Sequence, residues 1–336
     1  MARDALCATV GGMSRTSSIT SLENESASLE SSARESVDRE LIETDALWRA
    51  APESLTHVRD GANSVYELRA DSSRFFLRVT SSRHRSRDQI DAELEFVRFL
   101  ASRGVAVTRP EVSVRGEWIE TLRTEPRRYA VLFGAAHGRH FEFFSSDIDR
   151  ALFHAWGATM GALHAASREF VPCGAKRPDW SVQDTTSCDP QEIPLAEHAA
   201  RLEHEHLMRW LESVPVTTQS WGLIHGDFER TNFVLDEGGA LHVYDFDDAC
   251  YHWYVADIAN ALWVFRNAPS SDRAQFLAWF LHGYREHCTI DVDVREHVSW
   301  FVRVRTLSLF INRLRSPCDA LWVRRTRAAL GTPFSW

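Results

Sequence analysis

Polar and apolar residues alternate over "SVYELRA" (64–70) and "RFFLRVT" (74–80). The β-branched and aromatic content of both runs predicts two strands, joined by a short turn at "DSS". The period then lengthens. In "DQIDAELEFVRFLASRG" (88–104) the apolar positions Ile90, Leu94, Val97 and Leu100 recur at helical spacing, and Gly104 sits where a helix-terminating glycine belongs. "PEVSVRGEWIETL" (110–122) predicts another hairpin, and "RYAVLF" (128–133) a further strand.

After "GAAHG" (134–138) the longer period dominates. It predicts amphipathic helices over 147–167 and 196–214, and helices from residue 254 almost to the end. Three short β-like runs interrupt it, at "LIHGD", "NFVL" and "LHVYDF". The expected fold class is therefore α+β in two lobes. Residues 41–135 form a small antiparallel sheet with one helix, and residues 136–336 are mainly helical. Residues 1–40, with "SRTSSITSLENESASLESSARES" at their centre, offer little apolar material to bury and predict a disordered tail. No repeat of solenoid length is present.

Composition narrows the class. A chain of 336 residues with 44% hydrophobic content can build two lobes. No apolar run approaches the ~20 residues that cross a bilayer, and the N-terminus has no signal-peptide stretch. A net charge of −9 gives no bulk attraction to nucleic acid or to an anionic membrane, so neither is expected as a partner. The six cysteines are scattered with no CxxC pair, as expected of reduced thiols in a cytoplasmic protein. Of the 38 basic residues only Lys176 is a lysine, so arginine is the default cation of this chain.

The chemistry concentrates in "GLIHGDFERTNFVLDEGGALHVYDFDDA" (222–249). Asp227 leaves the first of the short strands, Asn232 enters the second, and Asp245 closes the third. Three hard oxygen donors thus converge in one small volume. Mg²⁺ favours such a place, taking few protein oxygens and completing its shell with water and substrate phosphates. Asx turns between strands would account for any one of these residues, but not for the whole spacing.

The spacing resembles the aminoglycoside phosphotransferase and choline kinase-like family of protein kinase-like fold enzymes, whose catalytic loop reads HGDxxxxN. His225-Gly226-Asp227 and Asn232 match that motif, and the family's metal Asp falls at Asp245 in "YDFDDA". The protein-kinase counterparts are the HRD loop with its Asn and the DFG Asp. The likeness covers residues ~45–330 and is specific for fold and mechanism, less so for substrate. It implies Asp227 as the base that orients and accepts the hydroxyl proton, with Asn232 and Asp245 holding Mg²⁺ on the phosphates of ATP. It implies structural roles for His225, which fixes the loop, and for Asp257, which ties down its amides. Asp247 stands where a protein kinase has Gly. A second metal and a cap on the chain as it turns toward "DIANALW" are both open to it.

The first lobe is then expected to bind the nucleotide. The family's phosphate-contacting Lys falls at Arg78 in "FFLRV". Either the site is dead, because a guanidinium is larger and forked, or Arg works there, because Arg binds phosphate well. The avoidance of lysine throughout the chain favours a working Arg. Glu93 is spaced as its partner, while Glu95 points to another helix face. "DGANSVYEL" (60–68) replaces a Gly-rich loop; Asn63 and Ser64 either touch phosphate or belong to an ordinary hairpin turn. "LFGAAHG" (132–138) resembles the adenine-reading hinge. Walker A and G-x-S-x-G motifs are absent. His198, Glu203, His204 and His206 lack metal-binding spacing and are expected on a solvated helix face. Trp180, Trp253 and Trp300 are expected in the core rather than in an aromatic box.

These features favour an ATP- and Mg²⁺-dependent phosphotransferase acting on a hydroxyl of a small molecule: an aminoglycoside, amino alcohol, sugar or homoserine-like acceptor. A bacterial protein Ser/Thr kinase of the stress-kinase type and a non-catalytic kinase-fold binding protein are the competing functions. The acceptor pocket is expected from ~170–215 and ~290–325.

Overall fold

The computed structural model describes residues 45–48, 55–70, 73–140, 148–183, 188–314, 319–332 and 334–336. The predicted tail (1–40) and positions 71 and 72 of the first turn lie outside them. Strands β1 (Leu55–Arg59), β2 (Asn63–Ala70) and β3 (Ser73–Ser81) run antiparallel, and β3 pairs with β6 (Arg128–Gly134). The two-residue period decides what each face does. Leu77 and Val79 pack with Tyr66, Leu68, Ala130 and Leu132 on one side. Tyr129 and Val131 face Ile90 and Leu94 of helix α1 (Arg87–Ser102) on the other. Arg78 lies opposite Val131 in the β3–β6 register, so its side chain shares the helix side of the sheet.

Helix α1 starts at a capping box formed by Ser86 and Gln89. It ends in a Schellman motif, where the Gly104 amide donates to Ala101 O at 3.2 Å and the Val105 amide to Leu100 O at 3.1 Å. Ile90, Leu94, Val97 and Leu100, the predicted apolar stripe, are all essentially inaccessible. Their burial contributes on the order of 1.5–3 kcal/mol each.

The hairpin predicted over 110–122 does not form. Strands β4 (Pro110–Glu111) and β5 (Glu120–Leu122) pair with β6, not with each other. They follow one another along a single edge of β6 as one strand interrupted by a loop. The alternation marks strand residues correctly but does not reveal their partner. Strand β1 was not predicted.

The rest of the chain is mostly helical, in α2 (Arg150–Ser167), α3 (His198–Leu211), α4 (Tyr254–Leu262), α5 (Ser270–Tyr284), α6 (Val294–Arg313) and α7 (Ala320–Ala329). Two small sheets interrupt it. Strand β7 (Trp221–Ile224) pairs with β10 (Cys250–Trp253), and β8 (Phe233–Leu235) pairs with β9 (Leu241–Val243). Strand β10 was also unpredicted. The β8–β9 hairpin is bonded on both outer edges. Arg139, just past β6, exchanges two backbone hydrogen bonds with Leu235 at 2.8 and 2.9 Å. Val243 accepts from the Thr108 amide and donates to Ala106 O, both at 2.9 Å. The main core gathers Phe153, Trp156, Phe233 and Phe280 beneath this hairpin.

Of the three tryptophans, Trp180 and Trp253 pack against each other, 6.2 Å between centroids. Trp180 stacks on His252, while Trp300 stacks on Trp210, 5.0 Å between centroids. Among the described residues no helix is long and apolar enough to cross a membrane. Among the described residues Cys173, Cys188, Cys250 and Cys288 form no disulfide; Cys7 and Cys318 lie outside them.

Candidate active site

Strand β7 delivers the chain into the loop His225–Asn232 at a glycine that cannot be replaced without movement. Gly226 has φ +82°, and a Cβ there would lie 2.2 Å from Asp248 O. This contact presses the loop against the segment 246–248. Asp257, fully buried on α4, accepts the amides of His225 and Gly226 at 3.0 and 3.1 Å. Burial pushes its carboxyl up, but the hydrogen bond and charge of His164 outweigh that and hold it below the usual range. Asn260 completes the clamp by donating to Gly226 O at 3.0 Å. The His225 ring accepts the Asp227 amide at Nδ1, so Nε2 carries the hydrogen and donates to Tyr244 O at 3.1 Å. His225 thereby pins the peptide just before Asp245.

Asp227 emerges from this clamp with both carboxylate oxygens engaged. Arg305 of α6 donates to Oδ1 at 2.7 Å, and Asn232 Nδ2 donates to Oδ2 at 3.0 Å. Burial raises the Asp227 carboxyl to about 6 against the pull of Arg305. The Asn232 amide also donates to Asp227 O at 2.8 Å. With Nδ2 committed twice, the orientation of the side chain is fixed and its carbonyl oxygen is turned away from Asp227.

Asp245 lies just beyond β9 in the left-handed region, with φ 68° and ψ 64°. Among the described residues it is the only non-glycine with positive φ. Asp tolerates this conformation better than most residues, and such strain persists where surroundings enforce it, often at functional sites. Its Oδ2 accepts from Arg59 of β1 at 3.0 Å. The Asp245 carboxylate and the outward Asn232 amide oxygen flank the two strands of one hairpin, and both are oxygen donors of the kind Mg²⁺ takes.

The neighbouring acids, Asp247 and Asp248, are met by the basic residues that follow β3. Asp247 meets His84 Nε2 at 2.8 Å and Arg85 at 3.5 Å, joining the end of β3 to the helical part. Burial would raise its carboxyl, but His84, Arg78 and Arg85 together hold it well below the usual range. It does not cap α4, whose first turn has no side-chain cap. Asp248 accepts from Arg85 and Gln183. Burial, then the charges of Asp227 and Asp247, push it up to about 6. Buried Arg177 donates to the backbone oxygens of Gln89, Asp247 and Ala249.

In the sheet, Arg78 and Glu93 form a two-pronged ion pair at 2.8 and 2.7 Å, with Arg78 6% and Glu93 1% exposed. The Arg78 guanidinium also lies 5.2 Å from the Phe133 ring centroid. Glu95 sits elsewhere and accepts the Cys173 amide. Asn63 accepts from Thr80 Oγ1 at 2.7 Å across the β2–β3 ladder, and Ser64 pairs with Val79. Neither is in the turn itself, which spans 60–62. Lys176 is exposed.

Arg305, Arg59, Arg177 and Asp248 were not singled out from the sequence. Arg305 falls within the expected acceptor region, but a lone arginine in so arginine-rich a chain carries no local mark. The discounted residues near 200 divide: His198 and His206 are exposed, as expected of a solvated face, with His206 edge-on to Trp300, whereas Glu203 is buried and accepts twice from Arg303 at 2.8 Å.

The model of a family described as "Phosphotransferase enzyme family" matches residues 54–289. Amicoumacin kinase of Bacillus subtilis is 27% identical over 80% of this chain and 82% of that protein. An amicoumacin kinase solved in complex with AMP-PNP, Ca²⁺ and Ami superposes with a TM-score of 0.80 at 24% identity, covering 88% of this chain and 93% of that one. A microcompartment-associated aminopropanol kinase gives 0.73 at 20% identity, covering 86% and 93%. Both superpositions show a shared kinase-like fold.

Proposed function

The chain belongs to the phosphotransferase enzyme family, and from that premise we propose that it transfers the γ-phosphoryl group of ATP to a hydroxyl of a small molecule, with Mg²⁺. One observation carries the reading: Asp227 is held between Arg305 and Asn232 while the Asn232 carbonyl oxygen is directed away from it. Base and metal ligand are thus separated by chemistry within one loop.

Asn232 and Asp245 would hold the metal, which when bound supplies charge neutralisation on the phosphates. Asp227 receives the acceptor hydroxyl and orients it for in-line attack. A carboxyl raised to about 6 is ionised at neutral pH yet basic enough to take up the proton as the new P–O bond forms. Arg305 holds that carboxylate in place. Asp257 and His225 keep the loop and the peptide before Asp245 in register. Arg78, oriented by Glu93, is the cation for the phosphates, and Asn63 and Ser64 open the strand that follows the 60–62 turn above them. The reading makes residues 41–135 the nucleotide lobe and 136–336 the acceptor lobe.

Aminopropanol, named for one relative, is an amine-bearing alcohol, and with amicoumacin, named for another, it sets the acceptors to try first. The test is ADP release by the full chain with Mg-ATP against a panel of amino alcohols, hydroxy amino acids and amino-bearing antibiotics. Acceptor-dependent release that Asp227→Asn abolishes is the expected result. No acceptor-dependent release from any member, with Mg-ATP bound, would favour a binding protein.

A further inference from the structure

Helices α2 and α5 touch more closely than side chains permit, and the contact gathers three metal-ligating groups at one end. A Cβ on Gly157 would lie 1.9 Å from Phe280 O, one on Gly161 2.4 Å from Tyr284 O, and one on Gly283 2.0 Å from His154 O. The backbones that carry His154, His282 and Glu286 are therefore fixed against each other. His154 Nε2 meets Glu286 Oε1 at 2.9 Å. The His154 and His282 rings are 5.2 Å apart. One ligand atom from each of the three residues lies within 4.8 Å of the others. Ligand atoms around a tetrahedral zinc ion stand about 3.3 Å apart, given bonds of about 2.0–2.1 Å. The remaining gap is for side-chain rotation to close, at His154 on α2, His282 on α5 and Glu286 in the turn that follows α5. The His154 and Glu286 side chains are partly open to solvent, 30% and 48% exposed, so an ion can enter and a water can complete its shell.

We propose that His154, His282 and Glu286 form a binding site for a borderline transition-metal ion of the zinc type, separate from the phosphotransfer centre and stapling α2 to α5. Two imidazoles and one carboxylate suit Zn²⁺, Co²⁺ or Ni²⁺. Mg²⁺ prefers an all-oxygen shell and is not a competitor here. The two metal requirements of the chain are thus chemically distinct, and each can be tested in the presence of the other.

The test titrates Zn²⁺ into the full chain by calorimetry with millimolar Mg²⁺ present throughout. One equivalent is expected. His154→Ala and His282→Ala should each weaken it at least ~10-fold, while His206→Ala on α3 leaves it unchanged. Co²⁺ provides a second readout, a visible d–d band in the wild-type chain that His282→Ala removes. The proposal is overturned if no Zn²⁺ binds under excess Mg²⁺. It is equally overturned if both histidine variants bind as the wild type does. Neither outcome depends on phosphotransfer, whose own failure would show in ADP release.

Discussion

The Arg78–Glu93 pair permits a quantitative test, because both groups are buried and each holds the other through two short bonds. Arg78→Met leaves the Glu93 carboxylate without its cation. Glu93→Leu leaves a guanidinium whose Nε already lacks a hydrogen-bond partner. Removing one member of a buried ion pair costs ~3–5 kcal/mol, whereas replacing both by apolar groups of similar volume is often nearly neutral. Each single variant should therefore lose ~3–5 kcal/mol in urea unfolding at constant m-value. The double variant should lose far less than the sum, with a coupling energy of at least ~2 kcal/mol. Arg78→Lys keeps the charge but reaches one carboxylate oxygen at a time, which forfeits a charge-assisted bond worth ~1.5–3 kcal/mol. Mg-ATP affinity, measured on folded protein, then separates the two uses of the residue. If Arg78 serves the phosphates, Arg78→Met binds Mg-ATP more weakly even at temperatures where it is fully folded. Single variants within ~1 kcal/mol of wild type, with additive effects, would refute the buried-pair reasoning.

Asp245→Asn should weaken Mg-ATP binding and abolish turnover; unchanged calorimetric affinity would remove it from the metal. Asp227→Asn should fold, keep near-normal Mg-ATP affinity and lose at least ~100-fold in kcat, and a native rate would eliminate it as the base. In the wild type, kcat/KM should fall as pH drops through about 6, because the carboxyl raised by burial takes up a proton there; a flat profile down to pH 5 would argue against the assignment. Gly226→Ala should destabilise by ~2–5 kcal/mol, from left-handed backbone strain plus overpacking against Asp248 O, and a wild-type unfolding midpoint would contradict the close approach.

Legibility followed sequence distance. Helix α1 was read nearly to its ends because one face is wholly buried and both caps are local. The predicted helices over 147–167 and 196–214 correspond to Arg150–Ser167 and His198–Leu211, shortened at termini where periodicity fades. Strand β1 escaped because all five of its residues are half-buried or exposed and the apolar Val58 falls among the exposed ones, so no apolar face marks it. Strands β4 and β5 showed their period, but their partner lies beyond them in the chain. Asp227, Asn232 and Asp245 stood out because the needed residue types fall within one short stretch. Arg305, 78 residues beyond Asp227, did not, since a contact across that separation imposes no period on either segment.

The double stitching of the β8–β9 hairpin has a mechanical consequence. Asn232 and Asp245 belong to neither half of the molecule alone: one edge of their hairpin is laced to the connection that leaves the sheet, the other to the segment following α1. Were the sheet to tilt, this doubly bonded hairpin would be the axle of the motion. Its two oxygen donors keep their separation through such a tilt, and Arg78, carried further out on β3, sweeps the longer arc. Opening and closing would thus change the reach of the cation while leaving the metal's protein ligands in step. Thr108→Pro, which removes the amide that bonds Val243 O, would be felt as slack in that axle.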